Sequence, residues 1–585
     1  MAGIHNEAQA ARAGGYPPLW LRGQRKKASP MNFDWTNPYR TIRTPVFARN
    51  IVSTSQPLAA QAGLRTLQAG GSAVDAAIAA AAVIAQTEPC SNGLGADNFA
   101  IVWNPADKQL HGMNASGISP AAWSLDYFRR KYGDDMANTR PLRGWDTVTI
   151  PGAIAGWVML HRKFGKLPFA DVLAPAIEYA ERGFAVSPIT QGKWKLAEPL
   201  LKDYPGFARH FLPKGRAPEI GEHFTLAGAA RTLKLIAETK GEAFYRGEIA
   251  AAICRFARET GGAHTEADFA RFWDFIETNA WVGTISKEVR SARDDGFVVH
   301  EIPPNGQGIA ALSCLGILNH TDLVDRIARD GVDAPATQHL LIEAMKLGFA
   351  DAYEYVADAR TMRVTPAQML DDGYLKDRAK LIDAKRAQPF APGKLPRGGT
   401  IYLSAADRSG MMVSFIQSNY AGFGSGVVVP GYGVSLQNRG YGFMLDPAHV
   451  NCVKPHHRPF HTIIPGFLMQ AGAPRMAFGV MGGNIQPQGH VQTLVRMLIA
   501  GQQPQAACDA PRWKWEAGLR VDLEPTMARE TREGLLRRGH ELAHEEDSYM
   551  DFGSGQFIWR LGDPANDGYV AASDARRDGY AAGYS

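Results

Sequence analysis

A chain of 585 residues can build several packed layers, or two to four compact domains. Its 45% hydrophobic and 21% charged content is that of a soluble globular protein with a large core. A net charge of +5, with no basic run longer than Arg25-Lys26-Lys27, leaves no footprint for a nucleic-acid partner.

The N-terminus lacks the basic-then-apolar pattern of a signal peptide. It reads as a polar, disordered tail to about Pro30, or an over-extended start with Met31 as the functional beginning. Five scattered cysteines, none with CxxC spacing, point to reduced thiols in a cytoplasmic protein. A strand is predicted from Pro45 to Ser53. A helix then starts at Ser55-Gln56-Pro57 and stops at Gly70-Gly71. Ser72 caps the next helix, whose face from Ala73 to Ala85 is apolar nearly all round, so it belongs at the centre of the molecule. The apolar window from Ala73 to Gln86 is too short to span a bilayer and contains Asp75, so no membrane helix is expected.

A loop from Asn92 to Asp97 leads into paired strands, Phe99 to Trp103 and Leu110 to Asn114. Helices are predicted from Ala153 to Lys163 and from Ala170 to Arg182. From Ser187 to Lys380 the pattern is mostly helical with loops. Pro303-Pro304-Asn305-Gly306-Gln307-Gly308 interrupts it before an apolar helix from Ile309 to Leu318. Residues 386–399, rich in Pro, Gly, Lys and Arg, read as an exposed linker. Beyond it strands are predicted near 426–429, 433–437, 462–469 and 475–480, with a helix near 490–500. No internal repeat is present. A helical first part and a strand-rich later part suggest an α+β protein with helices over antiparallel sheet.

The linker ends at a hairpin, in which two β-favouring runs flank Asp407-Arg408-Ser409-Gly410. A two-residue loop pairing Asp407 with Gly410 sets Ser418 opposite Gly399; a longer loop shifts this by a residue or so. Gly398-Gly399 precedes Thr400 and lets a neighbouring group approach the carbonyl of residue 399. Thr400 Oγ could attack that carbonyl and cut its own chain. Its freed α-amine would then serve as base for its own hydroxyl. An ordinary hairpin with threonine at a strand start is the alternative.

Read in order, these pieces resemble the γ-glutamyltranspeptidase family. Gly70-Gly71-Ser72-Ala73-Val74-Asp75-Ala76-Ala77 is similar to its early "GGNAVDAA" segment, and Pro151 to Gly156 to its "PGxxxG". Met481-Gly482-Gly483 is similar to its late "GG" loop, Ala510-Pro511-Arg512 to its "APR", and Thr400 falls at its catalytic threonine. The resemblance covers residues 45 to 580. It implies a four-layer αββα sandwich of the N-terminal-nucleophile hydrolase type, cut at Gly399–Thr400 into fragments 31–399 and 400–585. The fragments stay together as one αββα heterodimer, or as a dimer of heterodimers. It further implies Thr400 as nucleophile, Ser418 as its supporting hydroxyl, and Gly482 and Gly483 as backbone donors to an oxyanion. No cofactor, metal, membrane or nucleic acid is implied.

The departures concern the substrate. Family members that bind glutamate have an arginine where this chain has Ser116, after Asn114. They also have an acidic pair near Asn438-Arg439-Gly440-Tyr441-Gly442, where this chain has none, and a Ser-Ser pair where it has His461-Thr462. The pattern is more similar to the subgroup that includes oxamate amidohydrolase. Candidate substrate-binding residues are therefore Asn114, Asn438, Arg439, His461 and Thr462. Arg439 either holds a substrate carboxylate or makes a structural salt bridge. His456 and His457 are adjacent and should point apart on a strand, so with His461 they make no metal site. The glycines from Gly422 to Gly426 read as a loop beside the site rather than a phosphate cradle. The expected function is self-processing hydrolysis of a small carboxylate-bearing amide. Alternatives are a γ-glutamyl hydrolase or transpeptidase acting on glutathione, and an inactive binding protein.

Overall fold

Ser72 caps the central helix as its sequence suggests. Its hydroxyl accepts from the Asp75 amide, and the Asp75 carboxylate takes the Ser72 amide in return. The helix Ala73–Thr87 that follows is buried along its whole length. Side chains no larger than alanine at most positions let three other helices and a sheet come close to it. The computed structural model describes residues 33–293, 295–390, 399–544 and 552–585. The tail 1–30 and most of the linker, Gly398 included, lie outside the described residues.

Two antiparallel sheets form the centre. The six-stranded sheet runs Tyr580–Tyr584, Asn50–Thr54, Gly399–Ala406, Met412–Tyr420, Asp97–Asn104, Gln109–Ala115. The seven-stranded sheet runs Val46–Ala48, Tyr569–Ser573, Ser554–Arg560, Ala473–Met481, Gly466–Gln470, Phe297–Glu301, Ile285–Val289. The central helix, with Pro57–Gln68 and Ala153–Phe164, covers the outer face of the first sheet. Gly308–Leu318 and Ile485–Leu498 cover the second, with Pro335–Tyr355 packed on them. The architecture is the four-layer αββα sandwich, with one apolar core between each sheet and its helices.

The sheets meet face to face through close contacts. Gly479 lies against the Tyr402 ring, where a Cβ would stand 2.4 Å from Cε2. Tyr402 Oη reaches Ser404 and Ser414 at 2.9 and 2.7 Å, and Ser414 and Ser404 bond to carbonyls of the opposite sheet. Side chains alternate along a strand. Thr400, Tyr402 and Ser404 thus share the face between the sheets with Ser414 and Ser418. Gln417 points the other way, to Trp157 on a covering helix.

Three expectations need correction. The part before Thr400 is not simply helical: Ile285–Val289 and Phe297–Glu301 form one edge of the seven-stranded sheet. Five-residue strands bearing Lys287, Glu288 and His300 carry little apolar signal, and cross-strand pairing supplies what local propensity lacks. The linker is not exposed throughout, since Ala387 is buried and Gln388 donates its amide to buried Glu343. The hairpin turn is longer than two residues. Met412 pairs with Ala406 and Gln417 with Ile401, after which a bulge moves Tyr420 opposite Gly399. The register is thus one residue from the two-residue-loop expectation, and Ser418 falls at the level of Thr400 itself.

Candidate active site

The hairpin is fixed at both ends. At its turn, Asp407 Oδ2 accepts from Ala73 N at 2.8 Å, at the start of the central helix. At its open end, Thr400 Oγ1 and Ser418 Oγ are 3.1 Å apart, and both residues are buried. Ser418 Oγ accepts from the Tyr420 amide at 2.8 Å and from Arg439 Nη2 at 3.1 Å. Both donors can only donate, so they take the hydroxyl's two lone pairs. Thr400 Oγ1 lies within hydrogen-bond reach of the same hydroxyl. The bulge that follows Gln417 holds Tyr420 at φ 77, in the left-handed region that few side chains adopt. It sets the Tyr420 ring under the Arg439 guanidinium, 4.3 Å from centroid to carbon.

Arg439 is fully buried on a short 3-10 turn, Arg439–Gly442. Nη1 donates to Thr462 Oγ1 at 2.7 Å and Nη2 to Ser418. Its buried Nε–H has no partner, and among the described residues it makes no ion pair. The structural salt-bridge alternative is therefore not what the structure shows. Burial pulls the guanidinium down to about 10, while Asp97 and Tyr420 push it up.

Asp97 lies across from Ser418 on the neighbouring strand. Its carboxylate accepts from Gly117 N, Gly152 N and His461 Nε2 at 3.0, 3.2 and 3.0 Å. Burial pushes the carboxyl up to about 7, against the pull of Arg439, these amides and Arg458. His461 Nδ1 accepts the Ile463 amide, so the ring proton sits on Nε2 and is given to Asp97. Burial, with Arg439 and Arg458 near, holds this imidazole well below its ordinary value. His461 is thus a neutral brace and not a base.

The two glycines close the far wall. Ser404 bonds Ala477 O and Tyr402 lies on Gly479. The same progression carries Thr400 to the level of Met481, one residue before Gly482-Gly483. Gly482 has φ 127 and Gly483 φ 70, and a Cβ on Gly482 would lie 2.6 Å from Ile485. Only glycine fits this turn. The turn opens into the helix Ile485–Leu498, so its amides stand at the positive end of a helix dipole.

Asn438 spends its amide on the protein: Oδ1 accepts Ala421 N and Nδ2 donates to Leu142 O. Asn114 does the same with Asn305 and Ser116. Both shape walls through neighbouring segments. His456 sits in a turn at φ 59 rather than on a strand, and lies against Asp268, while His461 is held by Asp97; the three histidines do not converge. Another buried group with metal-ligand chemistry, His339, Glu343 and His540, is committed to itself. His339 Nε2 gives its proton to Asp383 O, so Nδ1 accepts from His540 Nε2 at 2.8 Å; Glu343 pairs with Lys346 at 2.6 Å. Three residues at the site escaped sequence reasoning: Asp97, Gln307 and Arg458. Asp97 had a signal, an acid opening an apolar strand after a glycine-rich loop. Arg458, buried and bonded to the carbonyls of Asn114 and Ser116, had none.

The αββα sandwich, with a threonine opening an inner strand beside a glycine turn, defines an N-terminal-nucleophile hydrolase, an enzyme of amide hydrolysis and acyl transfer. The chain belongs to the γ-glutamyltranspeptidase family, whose profile matches residues 59–584. It is 34% identical to the glutathione hydrolase-like YwrD proenzyme of Bacillus subtilis (strain 168), over 87% of this chain and 94% of that protein. It is 33% identical to the oxamate amidohydrolase proenzyme of Klebsiella pneumoniae, over 90% of this chain and 97% of that one. The crystal structure of cephalosporin acylase from Bacillus halodurans superposes with a TM-score of 0.86 at 44% identity, covering 94% of this chain and 98% of that one. Among the described residues no helix is long and apolar enough to cross a membrane.

Proposed function

We propose that the chain cuts itself before Thr400 and then hydrolyses a small amide that carries a carboxylate next to the scissile carbonyl. In maturation Thr400 Oγ attacks the Gly399 carbonyl, and the peptide becomes an ester as its C–N bond breaks. That break frees the Thr400 α-amine, and water then splits the ester into the Gly399 carboxylate and the Thr400 hydroxyl. In turnover that amine takes the Thr400 hydroxyl proton, and Oγ attacks the substrate carbonyl. Gly482 and Gly483 supply amides to the oxyanion. The proton passes to the leaving amine or ammonia, and water releases the acid from the ester. Ser418 donates to Thr400 Oγ as negative charge builds there.

The observation that carries the substrate class is Arg439. A buried guanidinium with an unspent donor and, among the described residues, no ion pair is costly until an anion reaches it. Two hydrogen bonds of 3.1 Å end to end are the most that can separate it from Thr400 Oγ1. A carboxylate held there belongs to a short acyl group, as in oxamate. The named relatives, an oxamate amidohydrolase and a cephalosporin acylase among them, are consistent with an amide donor. A γ-glutamyl donor is the second reading, favoured by the glutathione hydrolase-like relative. It needs an anion for its ammonium, and Gly442 stands where the family has an acid. The test is a comparison of kcat/KM for oxamate, other short amido acids, a γ-glutamyl anilide and a cephalosporin-type acyl amide. Preference for the γ-glutamyl donor overturns the first reading. An uncut, full-length chain on a denaturing gel would favour an inactive binding protein.

A further inference from the structure

Gln307 belongs to the loop that interrupts the first half of the chain, and it is fully buried at the start of the helix Gly308–Leu318. Its side-chain amide gives both hydrogens to backbone carbonyls: Nε2 donates to Thr462 O at 2.7 Å and to Gly483 O at 3.0 Å. Its own backbone amide donates to His461 O at 2.9 Å, and the His461 amide donates back to Asn305 O. One residue therefore ties together the segment His461–Thr462 and the turn Gly482–Gly483, which flank the same end of two paired strands, Gly466–Gln470 and Ala473–Met481. Thr462 carries the hydroxyl that Arg439 holds.

The turn needs such a tie. Two successive glycines at positive φ have the widest choice of backbone conformations, and nothing in their side chains selects one. The Gly483 carbonyl accepts from the Gln486 amide on one side and from Gln307 on the other. With both lone pairs taken, its peptide plane cannot swing. The Gln307 carbonyl oxygen is buried without a partner, so this side chain sits where its donors are needed at the expense of its acceptor.

We propose that Gln307 is a positioning residue that holds the oxyanion turn in register with Arg439 and its anion. It fixes the spacing between the donors to the carbonyl and the cation for the carboxylate. This rests on the proposed acyl transfer through Thr400, with Gly482-Gly483 as its oxyanion site. A misplacement of about 1 Å at such a site costs on the order of 100-fold in rate. Removal of both donors in Gln307→Met should lower kcat by about 10- to 100-fold, with KM for the carboxylated amide changed by less than about threefold.

A second variant reads the hydrogen bonds themselves. In Gln307→Glu the ionised side chain faces two carbonyls, whereas the protonated one restores a single donor. Its kcat relative to wild type at the same pH should therefore rise as pH falls, which loss of packing alone would not produce. A transition-state analogue gives a third readout. A boronic acid that adds to Thr400 Oγ should lose affinity in Gln307→Met by the same factor as kcat/KM, while the product acid binds as before. A kcat within twofold of wild type in Gln307→Met, or equal weakening of boronate and product, overturns the proposal. Where Gln307→Met fails to mature, Gln307→Glu decides, and a pH-independent ratio to wild type overturns it. Failure of the underlying reading shows separately, as an active Thr400→Ala protein or a small fragment that does not begin at Thr400.

Discussion

At the scale of residues, the hydroxyl pair is the unit of chemistry and Arg439 is its boundary. Ser418→Ala removes a donor to a reacting oxygen, a loss of about 1–3 kcal/mol, or roughly tenfold to a hundredfold in rate. Self-cleavage and turnover should both slow by that factor, and Ser418→Thr should keep both; timed gels and single-substrate kinetics read this. Arg439→Met is expected to raise KM for a short amido acid by at least about tenfold. Because Arg439 also donates to Ser418, self-cleavage should slow as well, though less than in Ser418→Ala. Asp97 gives a prediction in pH. Its folded pKa, about 7, lies above the ordinary 3.8. The folded state thus binds more protons than the unfolded one between those values, and stability falls as pH rises through that window. Urea midpoints measured between about pH 4 and 8 should show this slope, and Asp97→Asn should flatten it.

At the scale of elements, the hairpin and the central helix depend on each other. Asp407 serves at once as a turn residue and as an acceptor for the first helical amide, and Tyr569 Oη donates to its carbonyl. Asp407→Ala should cost about 0.5–2 kcal/mol, the ordinary value of a lost helix cap, read as a lower urea midpoint with an unchanged slope. The contact of Gly479 with Tyr402 is less forgiving. Gly479→Val places methyl groups inside the Tyr402 ring and forces the inner strands apart. Overpacking of this kind typically costs about 1–3 kcal/mol. The shift would also move Thr400 away from the glycine turn, so slow self-cleavage in soluble Gly479→Val protein is the expected sign.

At the scale of the whole molecule, strands from before and after Thr400 pair directly with each other in both sheets. Gly399–Ala406 lies between Asn50–Thr54 and Met412–Tyr420, and Gly466–Gln470 lies between Ala473–Met481 and Phe297–Glu301. A cut before Thr400 detaches only Gly399 from its strand and leaves the pairs from Ile401 onward, and every other ladder named, intact. The two fragments should therefore co-elute in native gel filtration and separate only in denaturant, with the small one beginning at Thr400. Thr400→Ala should run as one uncut chain in both.

What the sequence determined by itself is what local chemistry can carry. The Ser72 cap, the buried alanine-rich helix, the hairpin with Thr400 at its open end and the glycine pair at 482–483 each follow from residues close together in the chain. Family motifs placed them in one αββα frame. Tertiary structure alone decided the rest, because it depends on pairing between distant segments. The turn one residue longer than the two-residue form brings Ser418 level with Thr400, and the choice between the two turns is settled by how the strands pair. Arg439 could be read from sequence as a salt-bridge partner or a ligand for an anion. Only its burial against Ser418 and Thr462, with no carboxylate in contact among the described residues, separates the two. Asp97 and Gln307 look ordinary in sequence, since a buried polar side chain acquires its role from the backbone groups that surround it, and those come from every part of the fold.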